Sequence, residues 1–132
     1  MKRFALLAVV ALALLSCRTV PTDIPEDLTQ AELVQQAQEA ADQENWAAAL
    51  AYYQAVLDRF PADRVATVTA QYEMAFIEYK RGNTELAEAG FEQVIGVYDF
   101  ESEGLPLWPR VLSERLLEEI AAEREEQSAD PE

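Results

Sequence analysis

The sequence predicts an all-α fold, in which two helical hairpins are followed by one further helix that caps the second. Three observations predict it. Apolar residues recur at helical spacing through five segments between residues 30 and 126. No segment sustains the period-two alternation of a half-buried strand. The chain also matches itself when displaced by 38 residues, as a two-helix unit used more than once would.

The elements follow in order. Met1, Lys2 and Arg3 precede an apolar run from Phe4 to Leu15. Positive charge followed by a short apolar run is the pattern of a bacterial export signal. The run is shorter than the ~20 apolar residues that a bilayer-spanning helix needs. It closes on Leu14-Leu15-Ser16-Cys17, which resembles the lipobox of bacterial lipoproteins. The resemblance implies a signal over residues 1–16, diacylglyceryl transfer to the Cys17 thiol, cleavage after Ser16 and acylation of the new amino group. Cleavage without lipid, or a buried N-terminal helix with a chance cysteine, are the alternatives. Arg18 stands where aspartate would suggest inner-membrane retention, so the same resemblance favours the periplasmic face of the outer membrane.

Residues 17–29 then read as a lipidated cysteine and a tether, with Pro21 and Pro25 among polar side chains. Thr29 followed by Glu32 is a capping-box pattern that opens a first helix over 30–43. A second helix over 46–60 places Trp46, Ala49, Leu50, Tyr53, Val56, Leu57 and Phe60 on one side, and Pro61 stops it. A third, 64–81, carries Val65, Val68, Tyr72, Ala75, Phe76 and Tyr79. Gly82 suits its C-cap. A fourth, 84–98, carries Leu86, Ala87, Phe91, Val94, Ile95 and Tyr98. After a loop with Gly104, Pro106 and Pro109, a fifth helix over 109–126 shows Val111, Leu112, Leu116, Leu117 and Ile120 as its apolar stripe. Residues 127–132 read as a disordered acidic tail. The helical domain is thus 30–126.

Displaced by 38 residues, Asn45–Leu57 lies over Asn83–Ile95. Ala49 then matches Ala87, Tyr53 matches Phe91, Phe60 matches Tyr98, and in the preceding helices Ala37 falls on Ala75. Small residues midway along each first helix, and early in each second helix before an aromatic, resemble the tetratricopeptide repeat family. The resemblance covers residues 30–98. It departs from the family in a period four residues longer, with the extra length placed between Arg59 and Thr67, and in Asp99 where a unit-ending proline would stand. A plain antiparallel bundle with alanine-rich contacts is the alternative. Two units are fewer than the three or so that such stacks need, and the fifth helix is expected to supply the missing cover.

The composition excludes several functions. The chain has 25 acidic and 10 basic residues, no histidine and one cysteine. Without histidine it lacks the commonest general base and metal ligand at neutral pH. One cysteine makes neither an internal disulfide nor a thiolate zinc site. Without residues 1–16 the net charge is −17 over 116 residues, which opposes nucleic-acid binding and favours a partner with a basic patch. The pairs Glu118-Glu119 and Glu125-Glu126 read as a solvated helix face, and no spacing suggests a calcium loop. No catalytic residue, metal or cofactor is implied.

In the tetratricopeptide family the first helices of each unit line a groove that binds peptides or partner helices. By position, that resemblance puts Val34, Gln38, Tyr72, Phe76, Tyr79 and Lys80 in the lining. Members that hold a peptide carboxylate use lysines and asparagines where Val34, Gln38, Tyr72 and Phe76 stand here, which argues against carboxylate capture. Tyr72, Phe76 and Tyr79 read equally as core. Trp108, between two prolines, reads as an exposed anchor or as a lid on the last helix. The expected role is a non-catalytic adaptor for an envelope protein or peptide, possessing a likeness to repeat lipoproteins of outer-membrane assembly. A periplasmic spacer, or a subunit that associates with itself, is the alternative.

Overall fold

A computed structural model describes residues 20–21 and 23–129. The signal, Cys17 and the last three residues of the acidic tail lie outside the described residues. Five α-helices follow one another: α1 Gln30–Asp42, α2 Trp46–Arg59, α3 Arg64–Lys80, α4 Thr84–Phe100 and α5 Trp108–Ala129. No strand occurs among the described residues. Each helix packs on the next, so that α1/α2 and α3/α4 form two antiparallel hairpins and α5 lies on the second. The first helices of the hairpins also touch, α1 with α3 and α3 with α5. This is a stack of helical hairpins, as the sequence predicts.

Local chemistry fixes the helix starts. At α1 the Thr29 hydroxyl accepts from the Glu32 amide at 3.3 Å, and the Thr29 amide donates to the Glu32 carboxylate at 2.8 Å. This reciprocal box satisfies two helix-end donors. The bonds from Thr29 hold the Glu32 carboxyl below its usual range. Asn45 accepts from Ala48 at 3.4 Å and Asp63 from Ala66 at 3.0 Å, capping α2 and α3. Asn83 precedes α4 but turns back to donate to Glu78 on α3, at 2.5 Å. It trades a cap for a clamp on the turn, which Gly82 makes with φ +78°.

Two cores meet at α3. On one side Ala66, Ala70 and Ile77 join Leu33 and Ala37 of α1 and Tyr53 and Val56 of α2. On the other, Val68, Tyr72 and Ala75 join Phe91, Val94 and Tyr98 of α4 and Ile120 of α5. Within each set the spacing is three, four or seven residues, the repeat of one helix face. The expected tether is docked from Ile24 onward. Ile24 and Leu28 pack on the first core, and the Arg59 guanidinium donates to the Ile24 and Pro25 carbonyls at 2.8 and 2.6 Å.

Four expected core residues are exposed instead. Val65 lies in the first turn of α3, at the end of the stack. Leu86 is 61 % exposed because no contact closes α2 against α4 above it. Val111 and Leu112 face the side of α5 on which no further described helix packs. The last helix also runs to Ala129, so residues 127–129 of the expected tail are helical. Fully buried on α5 is Ser113, displaced from Ala75 by the same 38 residues that separate Ala75 from Ala37. α5 therefore occupies the place of a third unit's first helix.

Close approach of α3 to α4 depends on one glycine. A Cβ at Gly90 would stand 2.6 Å from the Ala75 Cβ, whereas one at Gly96, on the same helix, would meet nothing within 4 Å. Gly→Ala within a helix normally stabilises by ~0.5–1 kcal/mol. Gly96→Ala should do so, and Gly90→Ala should destabilise by ~1–3 kcal/mol by forcing the helices apart. Urea midpoints compare the two, and stabilisation by both would refute the close approach. Deleting residues 109–132 removes Ile120 from the second core, with Leu116 and Leu117 that pack against it, and should leave an aggregating or poorly helical protein. Cooperative melting of the truncated chain at the full-length temperature would show that α5 is dispensable.

Candidate functional site

Helix α3 places Tyr72, Phe76 and Tyr79 along the side where the first helices meet. The rings form a row. Tyr72 and Phe76 stack with centroids 6.0 Å apart, and Phe76 and Tyr79 at 6.2 Å. Trp108, from the first turn of α5, meets Tyr72 edge-on at 5.1 Å. Lys80 completes the row, its Nζ 5.9 Å from the Phe76 centroid, within cation–π range. The Tyr79 hydroxyl donates to Glu119 of α5 at 3.0 Å, which raises its pKa.

Beside this row lies a cleft of ≈ 440 Å³ between α1, the start of α2 and α3. Of the six expected groove residues, Gln38, Phe76 and Lys80 line it. Val34 and Tyr72 do not. Val34 packs against the first core, and Tyr72 is buried in the second, where it also meets Phe91 at 5.9 Å. The reason is rotational: α1 turns Leu33 and Ala37 onto α2 and carries Val34 partly with them, while α3 turns Tyr72 onto α4. Tyr79 stays at the surface, on the α5 side of the row. Trp108 is half lid, half exposed, covering Tyr72 with one edge.

Asp42, Trp46, Tyr53 and Glu73 also line the cleft, and sequence reasoning did not place them there. Glu73 had a signal: residues 73, 76 and 80 share one helix face, and Glu73 interrupts an otherwise largely apolar stretch from Ala70 to Ile77. Burial raises its pKa. Burial, then the charges of Glu73 and Asp42, raise that of Tyr53, which is buried apart from its place at the cleft wall. Among the described residues no basic group lies within ion-pair distance of Glu73 or Asp42. The cleft thus offers aromatic surface and uncompensated negative charge from Asp42 and Glu73, with Lys80 at the end of α3 beside the end of α1 that Asp42 forms. It suits a chain segment carrying a basic side chain.

A wider hollow of ≈ 670 Å³ opens on the opposite side, between α2 and α4 over α3. Its lining is mainly Ala, Leu and Met, including the exposed Leu86, and Gln71 sends a buried Oε1 toward α3's surroundings with no partner. No group of three or more candidate metal ligands stands together among the described residues, and no described helix is long and apolar enough to cross a membrane.

The structure defines an all-α stack of helical hairpins. No protein-family model matches the chain, and no solved structure matches it. An uncharacterized protein of Treponema pallidum (strain Nichols) is similar to it, 42% identical over 82 residues. The match covers 61% of this chain and 32% of that protein, so the chain spans about a third of its relative's length.

Glu73 gives a pH test. Its folded pKa is raised above the unfolded value, so its contribution to stability is fully present below the unfolded pKa. That contribution is lost as pH rises through the folded one. Glu73→Gln should therefore melt higher than the parent at neutral pH, with the gap closing as pH falls through the carboxylate range. Thermal melts at several pH values read it, and a pH-independent gap would refute the burial effect.

Proposed function

We propose that the protein is a lipid-anchored, tetratricopeptide-like adaptor of the cell envelope, which holds a segment of another envelope protein in the cleft beside the α3 aromatic row. The anchor is Cys17, and the location is the periplasmic face of the outer membrane. The reading rests for its anchor on the lipobox-like Leu14–Cys17, and for its repeat on the Ala37/Ala75 and Ala49/Ala87 correspondences. The observation that carries the binding role is the cleft itself. It combines the exposed part of Phe76 with two carboxylates that have no basic partner among the described residues.

Keeping a half-buried carboxylate uncompensated costs folding free energy. A binding role accounts for that cost, because a basic side chain of the partner would satisfy Glu73 on docking. The role is non-catalytic, and it needs no cofactor. Repeat lipoproteins of outer-membrane assembly supply the nearest analogy for such an adaptor.

Site-specific photo-crosslinking in intact membranes tests it. A photoreactive residue at Phe76 or Lys80 should give one discrete adduct with an envelope protein, and Glu73→Lys should abolish it. The same probe at Gln93, in the opposite hollow, should give none. Equal adducts from both faces, or adducts only with a second copy of this chain, would defeat the adaptor reading.

A further inference from the structure

The helices alternate in direction, so one end of the stack gathers the starts of α1, α3 and α5 and the ends of α2 and α4. Three arginines tie this end together. Arg59, at the end of α2, holds the Ile24 and Pro25 carbonyls. Arg64, at the start of α3, donates to the Glu101 and Glu103 carbonyls after α4. Arg110, in the first turn of α5, lies 3.8 Å from Asp99 near the end of α4.

Most of the large exposed apolar side chains collect at this same end. Phe100 is 93 % exposed and Leu107 67 %, and Val65, Trp108, Val111 and Leu112 accompany them. They come from the start of α3, the end of α4, the following loop and the opening turns of α5. A patch of this kind on several elements marks an interaction surface. The turns at the opposite end, residues 43–45 and 81–83, are polar, and of the large exposed apolar side chains among the described residues Leu86 lies there.

The N-terminal chain enters at this end as well, because Ile24 and Pro25 are fixed there by Arg59. Six residues lie between Cys17 and Ile24, a span of seven residue-to-residue steps. Fully extended, they reach about 25 Å. An acyl anchor on Cys17 therefore holds this end within that distance of the bilayer.

From the leash and the patch together, we infer that this end of the stack rests on the membrane, with Phe100 and Leu107 entering the lipid headgroup layer and Trp108 at its boundary. The inference rests on the Cys17 anchor proposed above. The occupant is a zwitterionic lipid surface. Asp99, Glu101 and Glu103 share this end with Arg64 and Arg110, so it has no excess of positive charge to draw anionic headgroups. Aromatic side chains with one apolar and one polar edge favour that boundary. With the end fixed on the membrane, the helix axes stand away from it and the cleft beside α3 opens sideways, toward a neighbouring envelope protein.

The test uses the full chain matured in membranes, with Trp46→Phe so that Trp108 is the sole tryptophan. It is reconstituted into phosphatidylcholine vesicles whose acyl chains carry bromine near the headgroup. Trp108 emission should be quenched about twofold relative to unbrominated vesicles, as expected for a ring at the interface. Phe100→Asp combined with Leu107→Asp should remove the quenching while leaving helicity and acylation intact. Unquenched Trp108, quenching that survives the double substitution, or a dimer that covers Phe100 would each overturn the inference. Mass spectrometry of the Cys17 peptide separates the two claims. Without acylation the anchor and the inference fall together, and with acylation but no quenching only the inference falls.

Discussion

Helix α3 is buried on two faces, and the rest of the structure depends on that. Ala66, Ala70 and Ile77 belong to one core and Val68, Tyr72 and Ala75 to the other. A helix that serves two cores has little perimeter left for solvent, so its remaining strip is narrow and its chemistry is constrained. Small residues let it be flanked closely: Ala75 admits α4 only because Gly90 has no side chain. The hairpins are therefore coupled through α3 rather than through contacts between second helices, and the hollow between α2 and α4 is the geometric result.

Of α3's remaining surface, the strip toward the cleft holds Glu73, Phe76 and Lys80. Phe76 is a poor choice for a solvated surface, and Glu73 is a poor choice for a core. A half-buried carboxylate is unfavourable without a cation, and a stacked aromatic row beside a cleft excludes water without filling it. On the side away from α1, Tyr79 and Glu119 tie α3 to α5 by a hydrogen bond. The cleft wall is thus fixed from behind by the helix that closes the second core.

Much of this was legible in the residues. Apolar periodicity placed all five helices, and the local chemistry of Thr29, Pro61 and Gly82 marked three of their ends. The displacement of 38 residues revealed the two hairpins. It also reached Ser113, but a serine in place of alanine hid α5's position as a third first helix. Periodicity shows which side chains share a face, and it does not show which neighbour that face meets. For that reason Tyr72, which read both as groove and as core, lies in a core, and Val34, expected in the groove, packs against one, while Val65, Leu86, Val111 and Leu112 were assigned to cores and face outward. Asp42, Trp46 and Tyr53 joined the cleft through the α1–α2 turn, a tertiary matter that no single segment encodes.

The grip of Arg59 on the Ile24 and Pro25 carbonyls has a mechanical side. If the chain is held at its N-terminus while a partner draws on the domain, tension arrives first at that guanidinium. From there it passes into α2 and the first core, where Ile24 and Leu28 are packed. Beyond α3, whose residues line the cleft, α4 and α5 lie off the line of pull. Load would peel the docked segment from the first hairpin before it distorted the aromatic row, so the strap from Ile24 to Leu28 serves as the fuse of the assembly.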